Sequence, residues 1–189
     1  LRRFHERLGF LAAGFRSAPP GGVWVHAVSV GEALAAAELL RRIRERLPGA
    51  PLWVSVGTVA GRAVAEERLA GLATGVFYAP LDYCFIVRRV LRTLRPALVA
   101  VVETEIWPNL YREAKRAGCG LVVVNGRISD KAFPRYFRLR RFLRAVLALP
   151  DAILTQDEAS RRRYLDLGAP AGRVLVGGNL KYDFEPRAA

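Results

Sequence analysis

From Val23 onward, seven short apolar runs alternate with longer segments of helical periodicity, and this alternation restricts the fold more than any other property of the chain. The runs lie near 23–28, 52–56, 75–78, 98–102, 120–124, 152–155 and 174–176, and the helical patterns near 32–47, 61–70, 83–94, 108–117, 131–148 and 157–167. A run such as Leu98-Val99-Ala100-Val101-Val102 is apolar throughout rather than at every second residue, which is what a strand covered on both faces requires. The spacing therefore predicts an α/β fold, a doubly wound and mostly parallel sheet with right-handed crossovers. Gly and Pro stops at Leu47-Pro48-Gly49, Leu94-Arg95-Pro96, Ala117-Gly118 and Leu167-Gly168 agree with the helix ends. At 189 residues the chain is long enough for one such domain with a substantial core, while two would be tight.

Three divisions follow. Residues 1–16 place Leu1, Phe4, Leu8, Leu11 and Phe15 at helical spacing among arginines, a basic amphipathic helix that packs on the core or lies against a membrane. A Pro/Gly break then opens a Rossmann-like domain over 17–178, and 179–189 reads as a linker. No apolar run approaches the roughly 20 residues of a membrane span, so the chain itself is expected to be soluble.

Thirty Lys and Arg against seventeen Asp and Glu give a net charge of +13, which implies an anionic partner: nucleic acid, a phosphorylated ligand or an anionic membrane surface. Nucleic acid is the least supported, because no aromatic-interleaved basic strand or base-reading motif accompanies the charge. With His5 and His26 alone, no histidine metal cluster is possible, and Cys84 and Cys119 lack metal-ligand spacing and read as buried free thiols.

In open parallel sheets the carboxyl ends of the strands form the crevice where ligands bind. The first corner is His26-Ala27-Val28-Ser29-Val30-Gly31-Glu32, where Gly31 permits a tight turn and Glu32 stands at a helix start. Such an acid either complements the helix dipole or acts as a general base. This corner lacks a G-x-G-x-x-G fingerprint, which argues against a dinucleotide. The second, Gly57-Thr58-Val59-Ala60-Gly61, is a small-residue loop that could cradle a phosphate. The fourth strand ends in Glu103-Thr104-Glu105-Ile106-Trp107-Pro108-Asn109, two acids in a basic chain, with Trp107 expected to pack under the helix that Pro108 opens. The fifth ends in Asn125-Gly126-Arg127-Ile128-Ser129-Asp130; Arg127 either clamps a carboxylate or phosphate or pairs with Asp130 or Glu103. Polar residues from separate strand ends meeting on one rim point to a site more strongly than any one of them. His26, inside a strand, is expected to be a core histidine.

At these motifs, together with Gly178-Asn179-Leu180-Lys181-Tyr182-Asp183, the chain resembles the 3-deoxy-D-manno-octulosonic acid (Kdo) transferases of lipopolysaccharide synthesis. The resemblance implies the acceptor-binding N-terminal half of a GT-B glycosyltransferase, inactive without the C-terminal half that binds the sugar donor, CMP-Kdo. It implies a lipid A precursor (lipid IVA) as acceptor, no metal or other cofactor, and work at the cytoplasmic face of the inner membrane, with residues 1–16 at the membrane-facing entrance. It gives Glu32 the role of general base, Glu103 and Lys181 roles in transition-state support, and Ser29, Gly31, Thr58, Asn125 and Arg127 places in substrate binding. Two alternatives remain, a non-enzymatic basic module that binds nucleic acid and a related transferase using another nucleotide sugar.

Overall fold

The computed structural model describes residues 3–180. In chain order the elements are α1 (Phe4–Arg7), α2 (Gly14–Ser17), β1 (Val23–His26), α3 (Val30–Arg46), β2 (Leu52–Val56), α4 (Val59–Arg68), β3 (Gly75–Tyr78), α5 (Cys84–Leu94), β4 (Leu98–Val102), α6 (Pro108–Arg116), β5 (Gly120–Gly126), α7 (Phe133–Arg138), α8 (Arg140–Leu147), β6 (Ala152–Thr155), α9 (Glu158–Asp166) and β7 (Val174–Val176). The strands form one sheet in the order β3-β2-β1-β4-β5-β6-β7, parallel at every pairing. This is the Rossmann-like, doubly wound architecture the alternation predicts. The winding reverses between β1 and β4, which makes their carboxyl ends the switch point of the sheet.

Each face of the sheet is buried. On one side Val23, Val25, Val54 and Ala100 pack against Ala33, Ala36 and Leu40 of α3 and Ala65 of α4. On the other, Trp24, Trp53, Val99 and Val101 pack against Val87 and Val90 of α5, Leu110 and Tyr111 of α6, Leu143 of α8 and Tyr164 of α9. Burial on both faces is the physical origin of the unbroken apolar runs.

The structure departs from the predicted elements at two places. Residues 3–17 are not one amphipathic helix but two short ones, because Gly9 adopts a left-handed φ of 81° and lies so close to α5 that a Cβ would sit 2.9 Å from the Ile86 carbonyl oxygen. The residue α1 buries is Glu6, not Phe4, which stays 46% exposed. Glu6 accepts the Tyr78 N–H at 2.9 Å and pairs with Arg62, itself buried and donating to the Val76 carbonyl. The pattern near 131–148 likewise divides, at Leu139, which ends α7 and begins α8. A continuous helix would place Arg140 four residues after Tyr136 and three before Leu143, on the stripe that packs inward. Breaking at Leu139 leaves Arg140 exposed. The predicted Lys181 site and the linker from 181 onward lie outside the described residues. Of the two thiols, Cys119 is buried as expected, whereas Cys84 is half-buried.

Candidate functional site at the switch point

The β1 corner closes on a reciprocal cap. The Ser29 hydroxyl oxygen accepts the Glu32 N–H at 3.2 Å, and Glu32 Oε2 reaches back to accept the Val28 N–H at 2.7 Å. The side chain is thereby fixed in direction and almost wholly buried, 7% exposed. Burial pushes its carboxyl above the ordinary glutamate range, against the opposing hydrogen bonds from Val28 and Ser29, and the nearby charges of Glu105 and Glu103 push it further up. Three carboxylates from two strand ends therefore share one neighbourhood, as the rim argument predicts. The hydrogen bonds that fix Glu32 at the helix start are also what orient it as a candidate base.

The β2 corner is set against the first with no clearance. The Gly57 N–H donates to the Val28 carbonyl at 2.8 Å, and a Cβ on Gly57 would fall 2.4 Å from Val28 Cγ1. Thr58 is the cap of α4, its hydroxyl oxygen accepting the Gly61 N–H at 2.9 Å, and Gly31 lies exposed in the first turn of α3. Thus α3 and α4 start side by side at the rim.

Glu103 and Asn125, at the ends of the paired strands β4 and β5, both take left-handed backbone conformations, with φ of 61° and 57°. The Glu103 N–H donates to the Val124 carbonyl at 2.9 Å, and the Thr104 hydroxyl donates to the Arg127 carbonyl, tying the two corners together. Glu105 Oε2 accepts the Trp107 indole N–H at 2.5 Å, and its carbonyl accepts the Tyr111 hydroxyl at 3.0 Å. Trp107 packs against the core, as predicted, with its ring 4.7 Å from that of His26 in an edge-to-face contact. His26 is the core histidine expected: fully buried, its Nδ1 2.8 Å from Ser55 Oγ, which also accepts the Trp24 indole N–H. Burial lowers its pKa to about 3, so it is neutral and carries no charge to the rim.

Asn125 is buried and its Oδ1 accepts the Leu180 N–H at 3.1 Å, so it holds the chain leaving β7 against the rim; its Nδ2 takes no partner among the described residues. Arg127 is exposed and forms no ion pair with Asp130 or Glu103; Asp130 is taken by Arg163 instead. Arg127 lies near enough to Asp157 to add to the lowering of its pKa, after the Ser160 N–H. The Arg127 guanidinium thus lies exposed at the rim, beside Asp157 rather than paired with Asp130 or Glu103.

One rim residue is not recognisable from sequence. Asp82, after β3, accepts the Asn109 and Leu110 N–H groups at 3.0 and 2.7 Å and so caps α6, which neither Trp107 nor Pro108 can do through a side chain. Its partners are 27 and 28 residues away, and only its place at a strand-to-helix corner marked it.

Comparison with known proteins gives the family and the fold. The chain is 34% identical over 184 residues to a 3-deoxy-D-manno-octulosonic acid transferase of Haemophilus influenzae, covering 96% of the chain and 42% of that protein. It is 36% identical over 159 residues to the transferase of the same name from Chlamydia pneumoniae, covering 84% and 36%. It thus spans less than half the length of these relatives. Among solved structures, a UDP-GlcNAc 2-epimerase from Neisseria meningitidis bound to UDP-GlcNAc matches with a TM-score of 0.61 at 14% identity, covering 84% of this chain and 47% of that one. An Anabaena protein solved with UDP and glucose matches with a TM-score of 0.62 at 16% identity, covering 84% and 44%. At such identities the likeness is one of fold, the Rossmann-like half of a GT-B architecture. A family model described as 3-Deoxy-D-manno-octulosonic-acid transferase (kdotransferase) matches residues 2–184, and the chain belongs to that family.

Proposed function

We propose that this chain is the acceptor-binding half of a glycosyltransferase that moves Kdo from CMP-Kdo to a lipid A precursor, lipid IVA, at the cytoplasmic face of the inner membrane during lipopolysaccharide synthesis. The observation that carries the reading is the carboxylate group at the switch point: Glu32, buried and oriented by its cap, with a proton affinity raised by burial and by Glu105 and Glu103. A base of that kind is matched to a sugar hydroxyl that becomes acidic only as its oxygen attacks. In the reaction the acceptor oxygen bonds to the anomeric carbon of Kdo, the bond from that carbon to the phosphate oxygen breaks, the electron pair leaves with cytidine monophosphate, and the hydroxyl proton passes to Glu32. The anomeric carbon is electron-poor in the transition state, so a carboxylate at Glu103 would favour it, and the family resemblance gives Lys181 a supporting role in the same transition state. Ser29 and Gly31 shape the α3 start, Thr58 the adjacent one, and Asn125 and Arg127 the far wall, where the Arg127 guanidinium suits an acceptor phosphate. No metal is required, since cytidine monophosphate is a good leaving group.

The test is transfer of Kdo to lipid IVA by the full-length protein. Glu32→Gln preserves an acceptor for the Val28 N–H and removes the base, and is expected to lower kcat by about 100-fold or more. Full activity in Glu32→Ala would remove the base assignment, and transfer from a different nucleotide sugar in place of CMP-Kdo would replace the donor.

A further inference from the structure

We infer that α7 and α8 form the surface through which the protein meets an anionic lipid bilayer. Between residues 131 and 148 the chain carries Lys131, Arg135, Arg138, Arg140, Arg141 and Arg144 and no acidic residue. All six are exposed, and among the described residues none forms an ion pair. Asp166 lines a cleft of about 230 Å³ with Arg140, Arg141 and Arg144, so Lys131, Arg135 and Arg138 carry the least compensated charge.

The same segment has two apolar sides. Leu143, Val146 and Leu147 face inward and are buried, and Phe133 and Tyr136 pack against the core beside them. Phe137, Leu139 and Phe142 face outward at 38%, 55% and 56% exposure. The break at Leu139 sets that leucine between Arg138 and Arg140, and the Arg140 guanidinium lies 4.5 Å over the Phe137 ring. Apolar side chains at the tip with long cationic stems around them match the boundary between acyl chains and anionic headgroups. RNA is the poorer fit, since Leu139 has no ring and the Phe137 ring is already covered by Arg140, which leaves Phe142 alone of the three to stack a base. A second copy of this face would bring like charges together with no acid to receive them. α7 begins shortly after the β5 corner, so a bilayer held here lies next to Arg127.

This deepens the proposed function and rests on it only for the identity of the acceptor lipid, because vesicle binding is measured without sugar transfer. The 189-residue chain is sedimented with vesicles of phosphatidylglycerol and phosphatidylethanolamine, and with phosphatidylcholine vesicles. Binding is expected on the first and absent on the second, and it falls steeply with salt. Arg135→Gln with Arg138→Gln is expected to weaken it roughly 30-fold. Phe137→Ser, Leu139→Ser and Phe142→Ser together weaken it at least about tenfold, with the melting curve showing that the chain still folds. Arg46→Gln with Arg68→Gln, equal charge removed from exposed positions on α3 and α4, changes it little. Equal losses from both arginine pairs would overturn the inference. So would tighter binding to single-stranded RNA than to anionic vesicles, or a dimer abolished by the triple variant. Vesicle binding of the expected kind without sugar transfer by the full-length protein would leave this surface standing and remove the function proposed above.

Discussion

Two arginine-rich segments of this chain look alike on paper and do opposite things. In residues 3–17 the fold uses most of the polar groups, the exposed Arg16 apart: Glu6 is locked to Arg62 and the Tyr78 N–H, Arg7 donates to the Gly57 carbonyl at 2.5 Å, and Arg89 reaches back from α5 to the Leu8 carbonyl at 2.6 Å. In α7 and α8 none of the arginines forms an ion pair among the described residues, and Arg135 and Arg138 lie outside the cleft that Asp166 lines. A count of basic residues therefore says little about where positive potential is available to a partner. What decides it is whether a buried acceptor from a distant part of the chain reaches the guanidinium first.

That contrast can be broken most severely at Glu6. Glu6→Ala leaves the buried Arg62 with the half-exposed Glu66 as its remaining counterion and the Tyr78 N–H without its acceptor, and is expected to cost about 3 kcal/mol in urea unfolding. A loss near zero would mean the first segment is as loosely held as the second. Next comes Gly57→Ala, where the new methyl meets Val28 and forces the first two corners apart; about 1–3 kcal/mol is expected, with loss of the Arg7 anchor on the Gly57 carbonyl.

A third measurement asks how the interior treats a charge with no counterion. The pKa of His26 is lowered to about 3, so below about pH 6.5 the unfolded chain binds a proton that the folded one refuses. Stability is thus lost as pH falls through that window, at up to about 1.4 kcal/mol per pH unit from this group. Subtracting the pH profile of His26→Asn isolates the term; parallel profiles would show that His26 charges freely in the fold. Glu32 has the opposite sign. Its raised pKa makes the folded chain hold the proton longer, so its ionisation opposes folding as pH rises, and Glu32→Gln is expected to raise the melting temperature at pH 7 and leave it unchanged below about pH 4. The smallest effect closes the series: Arg135→Gln with Arg138→Gln should shift stability by no more than about 0.5 kcal/mol, the signature of side chains that the fold does not use.

The strands were legible because burial on both faces writes itself as an unbroken apolar run, and the rim followed because parallel strands end on one edge. Glu32 and the Glu103 corner were found that way. The two misread helices share a cause: periodicity reports which residues are apolar, not whether one residue on the stripe breaks it. Gly9 ends α1 through a backbone state, and Arg140 divides α7 from α8 because it cannot be buried there without an acid. What the motif around Asn125 does not show is that its Oδ1 holds the Leu180 N–H, a partner 55 residues away that no local pattern announces. The Asp82 cap of α6 was hidden for the same reason.

The left-handed turn at Glu103 has its own consequence. A side chain with a Cβ pays on the order of 1–2 kcal/mol in that conformation, and glycine does not. Glu103→Gly relieves that strain but gives up the contacts of the side chain, one of the three acids at the switch point, so the backbone and the carboxylate pull in opposite directions. A library of variants sorted for thermal resistance, and the same pool sorted for turnover, would report which of the two prevails at residue 103: glycine enriched in the first and glutamate in the second would mean that durability and chemistry compete there.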